Sequence, residues 1–440
     1  MNRLLALLFL IAASADAATV FENVNVITMD AGVVLEERDV LVVEGRIAAI
    51  SRELGQVAGD VVHIDGTGRW LMPGLTEMHA HVPPSGTRQD MEDVLTLFLA
   101  QGVTTIRGML GEPGHLTVRD ELAAGELFGP RLITSGPSFN GNSVTSPEQA
   151  SERVRAQAGA GFDFLKVHPG LSRDEFTAIM AAAKTVDIPV AGHVSDDYDL
   201  WYAVEQGQDC IDHLDKFVAA LVPPEADGSR PAGAFFGVDL ARSADRSQIP
   251  ALAERLAAAG TWIVPTEALM VHLLGDTPTD DLLAGPGMGY MSLATKSQWA
   301  GQRGSLPFSS EDRAAFLELR RELLRALHRA DARLLLGSDG PQVFNVPGFS
   351  LHAELEIYVD AGIPPGAALA SGTVGPATYF GAGDLRGRIA VGMEADLVLL
   401  RANPLEDISA TREIDGVMAA GRWHDRKDLD ARLAAIEARR

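Results

Sequence analysis

Short apolar runs alternate with helix-like stretches through the middle of the chain. Eight runs rich in Val, Ile and Leu fit β-strands, at residues 75–82, 103–109, 130–135, 162–168, 189–194, 210–214, 261–267 and 333–339. Helix-like stretches such as 88–101, 146–160 and 172–186 separate them. Such alternation is typical of parallel strands joined by crossover helices. It predicts an α/β protein with a (β/α)8 TIM barrel; a doubly wound open sheet is the alternative, because periodicity does not establish closure.

The two ends of the chain carry a different pattern, in which short strand-like runs are broken by glycines. These runs lie at 20–28, 39–43 and 46–50, and similar ones return only at 387–389, 395–400 and 414–423. The economical arrangement is one small β-sandwich domain formed by both termini. The predicted domains are therefore a sandwich of residues 18–72 and 384–425, a catalytic barrel of residues 73–383, and a C-terminal helix at 426–440.

The first 17 residues resemble an export signal. A positive start, Met1-Asn2-Arg3, precedes an apolar run at 4–13 and a small-x-small sequence, Ala15-Asp16-Ala17. This pattern predicts a cleaved signal peptide at 1–17 and a periplasmic or secreted protein, with an uncleaved membrane anchor as the alternative. Cys210 is the only cysteine, so no intramolecular disulfide can form and stability must come from the core and from metal.

The charge balance narrows the class of partner. The 440 residues carry a formal net charge of -23, and 46% of them are hydrophobic, as in an ordinary globular protein. Nucleic acid and anionic membranes present charge of the same sign and are therefore disfavoured as partners. The expected partner is a small-molecule substrate; the sequence leaves the oligomeric state open and allows a homo-oligomer.

Polar residues of metal-binding type lie near the carboxyl ends of the predicted strands. His79 and His81 are two residues apart on the first strand, so their side chains point to the same face. The other residues of this kind are Lys166, His193, His213 and Asp339, on the fourth, fifth, sixth and eighth strands. Barrel active sites are built at these strand ends, so the six residues predict one shared site.

Each of these residues also has a structural explanation when it is taken alone. His193 or His213 could be a hydrogen-bonded core histidine, and Asp339 could cap the segment that follows it. Lys166 lies among apolar residues and is harder to explain, because burying an ammonium group without a partner is costly. A neutral lysine amine can react with carbon dioxide to give a carbamate, an anion able to bridge two metal ions.

In this order, the residues resemble the metal signature of the amidohydrolase superfamily, which includes dihydroorotase, phosphotriesterase, imidazolonepropionase and prolidase. The resemblance begins at Pro73-Gly74-Leu75-x-x-x-His79-x-His81 and continues through Lys166, His193, His213 and Asp339. Residues 392–399 also look like the flanking sandwich domain of that superfamily. The resemblance covers nearly the whole chain after residue 17 and is nearest to the imidazolonepropionase-like and prolidase-like branch.

What the resemblance implies is a site for two divalent metal ions. His79, His81 and Asp339 would hold one ion, and His193 and His213 the other, with carbamylated Lys166 and a hydroxide bridging them. These ligand types suit zinc, although they also accept manganese, iron or cobalt. Two metals make a hydroxide available near neutral pH and polarise the scissile carbonyl. Asp339 would act as the catalytic residue, a general base that then protonates the leaving amine.

One position departs from the superfamily pattern. Glu77 stands where an aspartate is common two residues before the first histidine. Strand alternation puts it on the face of His79 and His81, where it could tune the site or pack at the barrel floor. The ligand set itself is intact.

Further polar residues follow the strand ends and are candidates for substrate binding. They are His115, His168, Glu267, Asn345 and His352. For each of them ordinary hydrogen bonding within a loop is the competing explanation. The connections at 215–260 and 268–332 are long, as in lids over an active site or in surface insertions without function.

The leading functional hypothesis is a metal-dependent amidase or dipeptidase that cleaves an amide C–N bond in a dipeptide or N-acyl amino acid. A lactonase or phosphotriesterase-like esterase is the alternative, since the same hydroxide can attack a lactone or a phosphorus centre. A deaminase is less favoured, because that branch commonly uses one metal and does not need Lys166. A non-catalytic barrel used for binding is a further alternative, which the complete set of ligands opposes.

Overall fold

A computed structural model describes residues 18–30, 32–224 and 233–440. The predicted signal peptide at 1–17 and part of the connection at 215–260 lie outside these residues. The strands are β1 (Ala18–Ile27), β2 (Val34–Val43), β3 (Arg46–Ser51), β4 (Val61–Asp65), β5 (Trp70–Pro73), β6 (Leu75–Ala80), β7 (Val103–Gly108), β8 (Arg131–Thr134), β9 (Leu165–Val167), β10 (Val190–Gly192), β11 (Cys210–Asp212), β12 (Trp262–Val264), β13 (Arg333–Leu334), β14 (Leu397–Leu400), β15 (Ile414–Ala419) and β16 (Arg422–Asp425).

The helices fall mostly between the strands of the middle region. They are α1 (Arg88–Ala100), α2 (Gly114–Ala124), α3 (Pro147–Ala160), α4 (Arg173–Val186), α5 (Leu200–Gln206), α6 (Phe217–Ala220), α7 (Ile249–Ala259), α8 (Glu267–Leu274), α9 (Thr279–Leu283), α10 (Leu293–Gly304), α11 (Ser310–Arg329), α12 (Phe349–Asp360), α13 (Pro365–Ser371), α14 (Val374–Tyr379) and α15 (Arg426–Glu437). Short 3-10 helices lie at Phe235–Ser243, Arg246–Gln248, Met288–Tyr290 and Ile408–Arg412. The chain is therefore a mixed α/β fold.

Strands from both ends of the chain share one sheet. Its order is β16-β15-β14-β5-β1-β2-β3, and β4 pairs with β1. The contact between the two ends is the antiparallel pairing of β14 with β5, in which Leu397 lies opposite Pro73. This joint leads directly into β6, so it fixes the entry of the strand that carries His79.

The eight strands from β6 to β13 all lie within the intervals predicted from the sequence. They form two parallel sheets, β6-β7-β8 and β9-β10-β11-β12-β13. Parallel bridges link the edges of the two sheets, from Ser135 to Phe164 and from Ala80 to Gly340. At the second junction the His81 amide also donates to the Gly340 carbonyl at 2.9 Å. The carboxyl ends of β6 and β13 are thereby brought side by side.

Two layers of apolar side chains hold this arrangement together. The larger layer packs the helices against the outer faces of the strands, as with Phe98 on α1 and Phe176 on α4. The smaller one contains Met78, Met109 and Cys210, which are fully buried, and packs among the strands themselves. Burying such side chains supplies the main favourable term for folding, so the strand ends are set on a rigid base.

The helical predictions are confirmed at 88–101, 146–160 and 172–186 by α1, α3 and α4. α4 begins with a capping box, in which the Ser172 hydroxyl accepts from the Glu175 amide and the Glu175 carboxylate accepts from the Ser172 amide. A helix is also present near the C-terminus, at α15. Among the described residues, no helix combines the length and apolar character needed to cross a bilayer.

Candidate metal centre and active site

Histidine side chains from four strand ends meet in one pocket. Their rings form a continuous row, with centroids 4.9 Å apart for His168 and His193, 4.6 Å for His193 and His213, 4.5 Å for His213 and His79, and 5.5 Å for His79 and His81. The pocket has a volume of about 400 Å³. We call it the site pocket; it is lined by His79, His81, Leu110, His168, His193, His213, Phe235, Phe236, Leu269, Leu273, Gln302, Ser305, Leu306, Asp339, Gln342 and Val343.

His79, His81 and Asp339 are arranged as metal ligands would be. One ligating atom from each of the three lies within 4.8 Å of the others. The Asp339 Oδ1 atom is 2.6 Å from His81 Nε2 and 3.6 Å from His79 Nε2, yet it is buried and has no hydrogen-bond partner. Buried acceptors are normally satisfied. A cation between these atoms would satisfy them, so the three residues fit a metal ion.

The second histidine pair is held in the tautomer that metal binding requires. The Thr266 hydroxyl donates to the Pro265 carbonyl at 2.7 Å, so it accepts from His213 Nδ1, which lies 2.8 Å away. His193 Nδ1 lies 2.7 Å from Asp215 Oδ2, a carboxylate that accepts. Both rings therefore carry their proton on Nδ1 and keep Nε2 as the lone pair for a ligand.

The charge states also suit a divalent metal. Burial, with Lys166 nearby, lowers the pKa of His79 to about 4, and burial beside His79 and His193 holds the pKa of His213 well below its ordinary value. Burial alone would raise the pKa of the Asp339 carboxyl, but His79 and His81 outweigh it and lower that pKa. Neutral imidazoles and an ionised carboxylate are the forms that coordinate metals.

Lys166 is fully buried and does not itself line the site pocket. Its Nζ donates to Asp212 Oδ2 at 3.1 Å, and the same oxygen lies 3.3 Å from His79 Nδ1. Burial would raise the pKa of Asp212, but Lys166, His79 and Arg107 hold that pKa well below its usual range. Gly192, on the neighbouring strand, has a φ of +133°, and a Cβ there would lie 2.2 Å from the Val167 carbonyl oxygen. Only glycine lets the strands pass so closely beside Lys166.

Asp212 is a central residue that the sequence analysis missed. Besides the Lys166 ammonium, its carboxylate accepts from Arg107 at 3.1 Å, and Arg107 also donates to the Met78 carbonyl at 2.6 Å. The guanidinium of Arg107 is itself fully buried. Asp212 thus balances the charge of Arg107 among the buried strands. The sequence feature that could have identified Asp212 is its position directly before the predicted ligand His213.

Glu77 lies beneath the ligands and does not line the site pocket. Its Oε1 accepts from the amides of His79 at 2.9 Å and Ser338 at 2.8 Å, and its Oε2 accepts from the Ser338 hydroxyl at 2.6 Å. Burial raises its pKa to about 7 despite these hydrogen bonds. Glu77 therefore ties the backbone that carries His79 to the backbone that carries Asp339, and so sets the spacing of one ligand group.

Of the residues predicted to bind substrate, the structure places His168 in the site pocket. Its Nδ1 is buried without a hydrogen-bond partner, and burial together with Lys166 lowers its pKa. The others bond elsewhere: His115 Nε2 to the Pro83 carbonyl, Glu267 to Arg320, Asn345 to the Ser338 carbonyl and His272, and His352 to Thr411 and the Gln101 carbonyl. Their roles in substrate binding remain predictions.

Arg320 is a second support that the sequence analysis did not identify. It extends from α11, fully buried, and donates to the carbonyls of His213 and Pro265, both at 2.8 Å. It also pairs with both oxygens of Glu267, at 2.9 and 3.1 Å. His213 and Thr266 have φ values of 64° and 54°, which non-glycine residues rarely adopt. Arg320 braces the strand ends at which this strained backbone occurs.

Comparisons with known proteins agree with this geometry. The sequence model of the amidohydrolase family matches residues 70–424. Adenine deaminase 3 of Rhizobium meliloti (strain 1021) is 24% identical over 195 residues, which cover 40% of this chain and 32% of that protein. The chain therefore matches about a third of the length of that curated relative.

Solved structures extend the likeness to the whole described fold. The bottromycin amidohydrolase is 25% identical with a TM-score of 0.73, and the match covers 95% of this chain and 90% of that one. A Xaa-Pro dipeptidase with methionine bound in its active site is 18% identical with a TM-score of 0.67, covering 93% of this chain and 100% of that one. The second likeness concerns the fold alone.

Proposed function

The chain belongs to the amidohydrolase family, and on that premise we propose that it cleaves an amide C–N bond in a small substrate such as a dipeptide or an N-acyl amino acid. One observation carries the proposal. His79, His81 and Asp339 place their ligating atoms within 4.8 Å of one another in a pocket that also receives His193 and His213. The comparison structures with amidohydrolase and dipeptidase names are consistent with that chemistry.

The ligands divide between two metal ions in the proposal. His79, His81 and Asp339 would hold one ion, His193 and His213 the other, and carbamylated Lys166 would bridge them, with zinc as the expected metal. To form the carbamate, the Lys166 ammonium first gives up one proton to solvent; the neutral nitrogen then bonds to the carbon of carbon dioxide and gives up a second proton. Bound metal would supply an activated water and a polarised carbonyl at neutral pH.

The side chains supply proton transfer and orientation. Asp339, ionised and at the centre of the ligand group, takes a proton from the attacking water on its carboxylate and returns it to the leaving nitrogen. His168 lines the same pocket, and we assign it to contact with the substrate. The apolar side chains around it reduce contact with water, and lower polarity strengthens electrostatic interactions in the pocket.

We also propose that β6 to β13 form one closed (β/α)8 barrel and that the terminal sheet folds as a sandwich. The parallel bridges at Ser135 with Phe164 and at Ala80 with Gly340 support closure. An experimental structure in which either junction is open, with no strand pairing across it, would contradict the barrel.

A substrate panel tests the function. The protein is loaded with zinc in bicarbonate and assayed with dipeptides, N-acyl amino acids, lactones and organophosphates. We expect amide turnover that a chelator abolishes and added zinc restores. Turnover confined to lactones or organophosphates would assign the protein to the esterase alternative. A chain that binds less than one zinc ion and turns over none of these compounds would be a binding protein instead.

A further inference from the structure

The wall of the site pocket opposite the histidines is apolar. It consists of Leu110, Phe235, Phe236, Leu269, Leu273, Leu306 and Val343. The Phe236 ring lies over the ligands, with its centroid 5.5 Å from that of His213 and 6.2 Å from that of His193. Leu110 is 43% exposed, an unusual degree for a large apolar residue beside a cavity. A hydrophobic group of the substrate would cover this wall.

The backbone under Phe236 is held in an unfavourable conformation. Phe235 and Phe236 have φ values of 45° and 62°, a region that bulky residues rarely occupy. Packing holds them there, since the Phe235 ring contacts Phe236 edge-on at 5.0 Å and Phe308 at 6.1 Å. Strain of this kind persists where the surrounding structure fixes a side chain for function.

A second cavity of about 650 Å³ adjoins the site pocket. We call it the polar chamber; it is lined by Pro83, Asp90, Val94, Tyr290, Met291, Ser292, Thr295, Gln298, Trp299, Gln302, Pro341, Gln342 and Arg440. Gln302 and Gln342 line both cavities. These two side chains therefore form the boundary that the two spaces share. The site pocket alone, at about 400 Å³, already falls in the range that holds a small ligand.

The groups at this junction match peptide bonds. The side-chain amides of Gln298, Gln302 and Gln342 are exposed to solvent and form no hydrogen bond with any residue in the described ranges. Each amide offers a donor and an acceptor, the same pair that a peptide unit presents. Farther in, Asp90 is already paired with Arg440 at 3.0 Å, so the chamber presents balanced charge and mainly neutral polar groups. This favours an uncharged, hydrogen-bonding extension of the substrate.

We infer that the polar chamber is a continuation of the substrate site and that the preferred substrates are peptides longer than two residues. The hydrophobic residue lies against Phe236, and at least one further peptide unit passes between Gln302 and Gln342 into the chamber. The inference rests on the proposed amide hydrolysis and specifies the substrate class of that site.

A length series tests this inference. Leucine-containing peptides of two, three and four residues, extended with glycine at either end, are assayed with the zinc-loaded enzyme. Two new hydrogen bonds to neutral amides predict a gain of about tenfold in kcat/KM from the dipeptide to the best longer peptide. A flat dependence on length in both directions would overturn the inference.

A blocked chamber supplies the matched comparison. Gln298→Trp fills the chamber from α10 and is expected to remove the gain for longer peptides, measured as the ratio of their kcat/KM to that of the dipeptide. Ser297→Trp, one residue away on the same helix and outside the chamber lining, is the control and keeps the gain. If Gln298→Trp retained the preference for longer peptides, the extension would not lie in the chamber.

Binding separates this inference from the proposed function. Peptide affinities are measured by calorimetry with zinc-loaded Asp339→Asn protein, because a binding measurement does not require the peptide to be hydrolysed. Tighter binding of the longer peptides, lost in an added Gln298→Trp substitution, supports the chamber even if no amide is hydrolysed. Equal affinity for all lengths contradicts it even if dipeptides are hydrolysed well.

Discussion

Replacing Thr266 with valine tests whether His213 is held as a ligand. The substitution keeps the volume and the β-branch of the side chain at a position where φ is 54°, so the backbone strain is matched. It removes the hydroxyl that accepts from His213 Nδ1 at 2.8 Å. The Pro265 carbonyl keeps a partner, because Arg320 also donates to it at 2.8 Å. The change therefore falls almost entirely on His213.

The size of the effect follows from the hydrogen bond that His213 loses. Its Nδ1–H is left buried and unpaired, which costs about 1–3 kcal/mol. The ring can avoid this cost by moving its proton to Nε2, but that removes the lone pair offered to the metal. Loss of an outer hydrogen bond to a metal ligand typically lowers metal affinity or activity roughly 10- to 100-fold. We expect a loss of zinc affinity within that range for Thr266→Val.

The assay is a zinc titration against a competing chelator, with kcat and thermal unfolding of the metal-free protein measured in parallel. Thr266→Ser keeps the hydroxyl and should bind zinc nearly as the parent does. If Thr266→Val and Thr266→Ser bound zinc equally, the hydroxyl would not orient His213, and the second metal group would lose its main support. A fall in thermal stability with unchanged zinc affinity would mean that Thr266 serves only packing.

The remaining predictions concern the ligands and their supports. Asp339→Asn should retain most of the metal and lose kcat by roughly 10²- to 10⁴-fold, whereas His193→Ala should lose metal. Elemental analysis measures the metal and steady-state kinetics measures kcat. Equal rates for Asp339→Asn and the parent would refute the proton-transfer role. Lys166→Ala should remove the mass of one carbon dioxide in native mass spectrometry and lower the zinc content by about one ion per chain; a parent protein without that added mass would refute carbamylation. Arg320→Met should cost about 3–5 kcal/mol in denaturant unfolding because Glu267 stays buried without its partner, and adding Glu267→Gln should recover part of that loss; an unchanged unfolding midpoint for Arg320→Met would show that the pair braces nothing.

The strands and the donor residues could be predicted because each follows a local rule. Parallel strands buried on both faces leave continuous apolar runs, and the strands β6 to β13 fall inside the eight runs. His79, His81 and Asp339 are of residue types with few other uses at a strand end, and the structure places them together. Most of the strands are shorter than predicted, as in β13 with two residues, and His81, His193, His213 and Asp339 lie past the ends of their strands.

The residues that orient the ligands could not be predicted, because side chains of different types can accept the same hydrogen bond. His193 is oriented by a carboxylate, Asp215, and His213 by a hydroxyl, Thr266, yet either type satisfies an imidazole N–H equally well. Arg320 reaches the His213 carbonyl from a helix 107 residues away. No local sequence pattern indicates a contact between residues so far apart in the chain. The same reasoning explains Glu267: a carboxylate at a strand end suggests substrate binding, but a buried guanidinium on α11 takes up both of its oxygens.

Glu77 shows how a departure from the expected motif can leave the ligands in place. A glutamate is one methylene longer than the aspartate expected at this position, and its carboxylate spans from the His79 amide to both the amide and the hydroxyl of Ser338. Gly337 lies beside it, and a Cβ there would lie 2.7 Å from Val264 Cγ1, 3.1 Å from the His79 amide nitrogen and 3.3 Å from Glu77 Oε1. The spacing of His79 and Asp339 therefore depends on the hydrogen bonds of Glu77, while the absence of a side chain at Gly337 keeps the space beside Val264 and the His79 amide open.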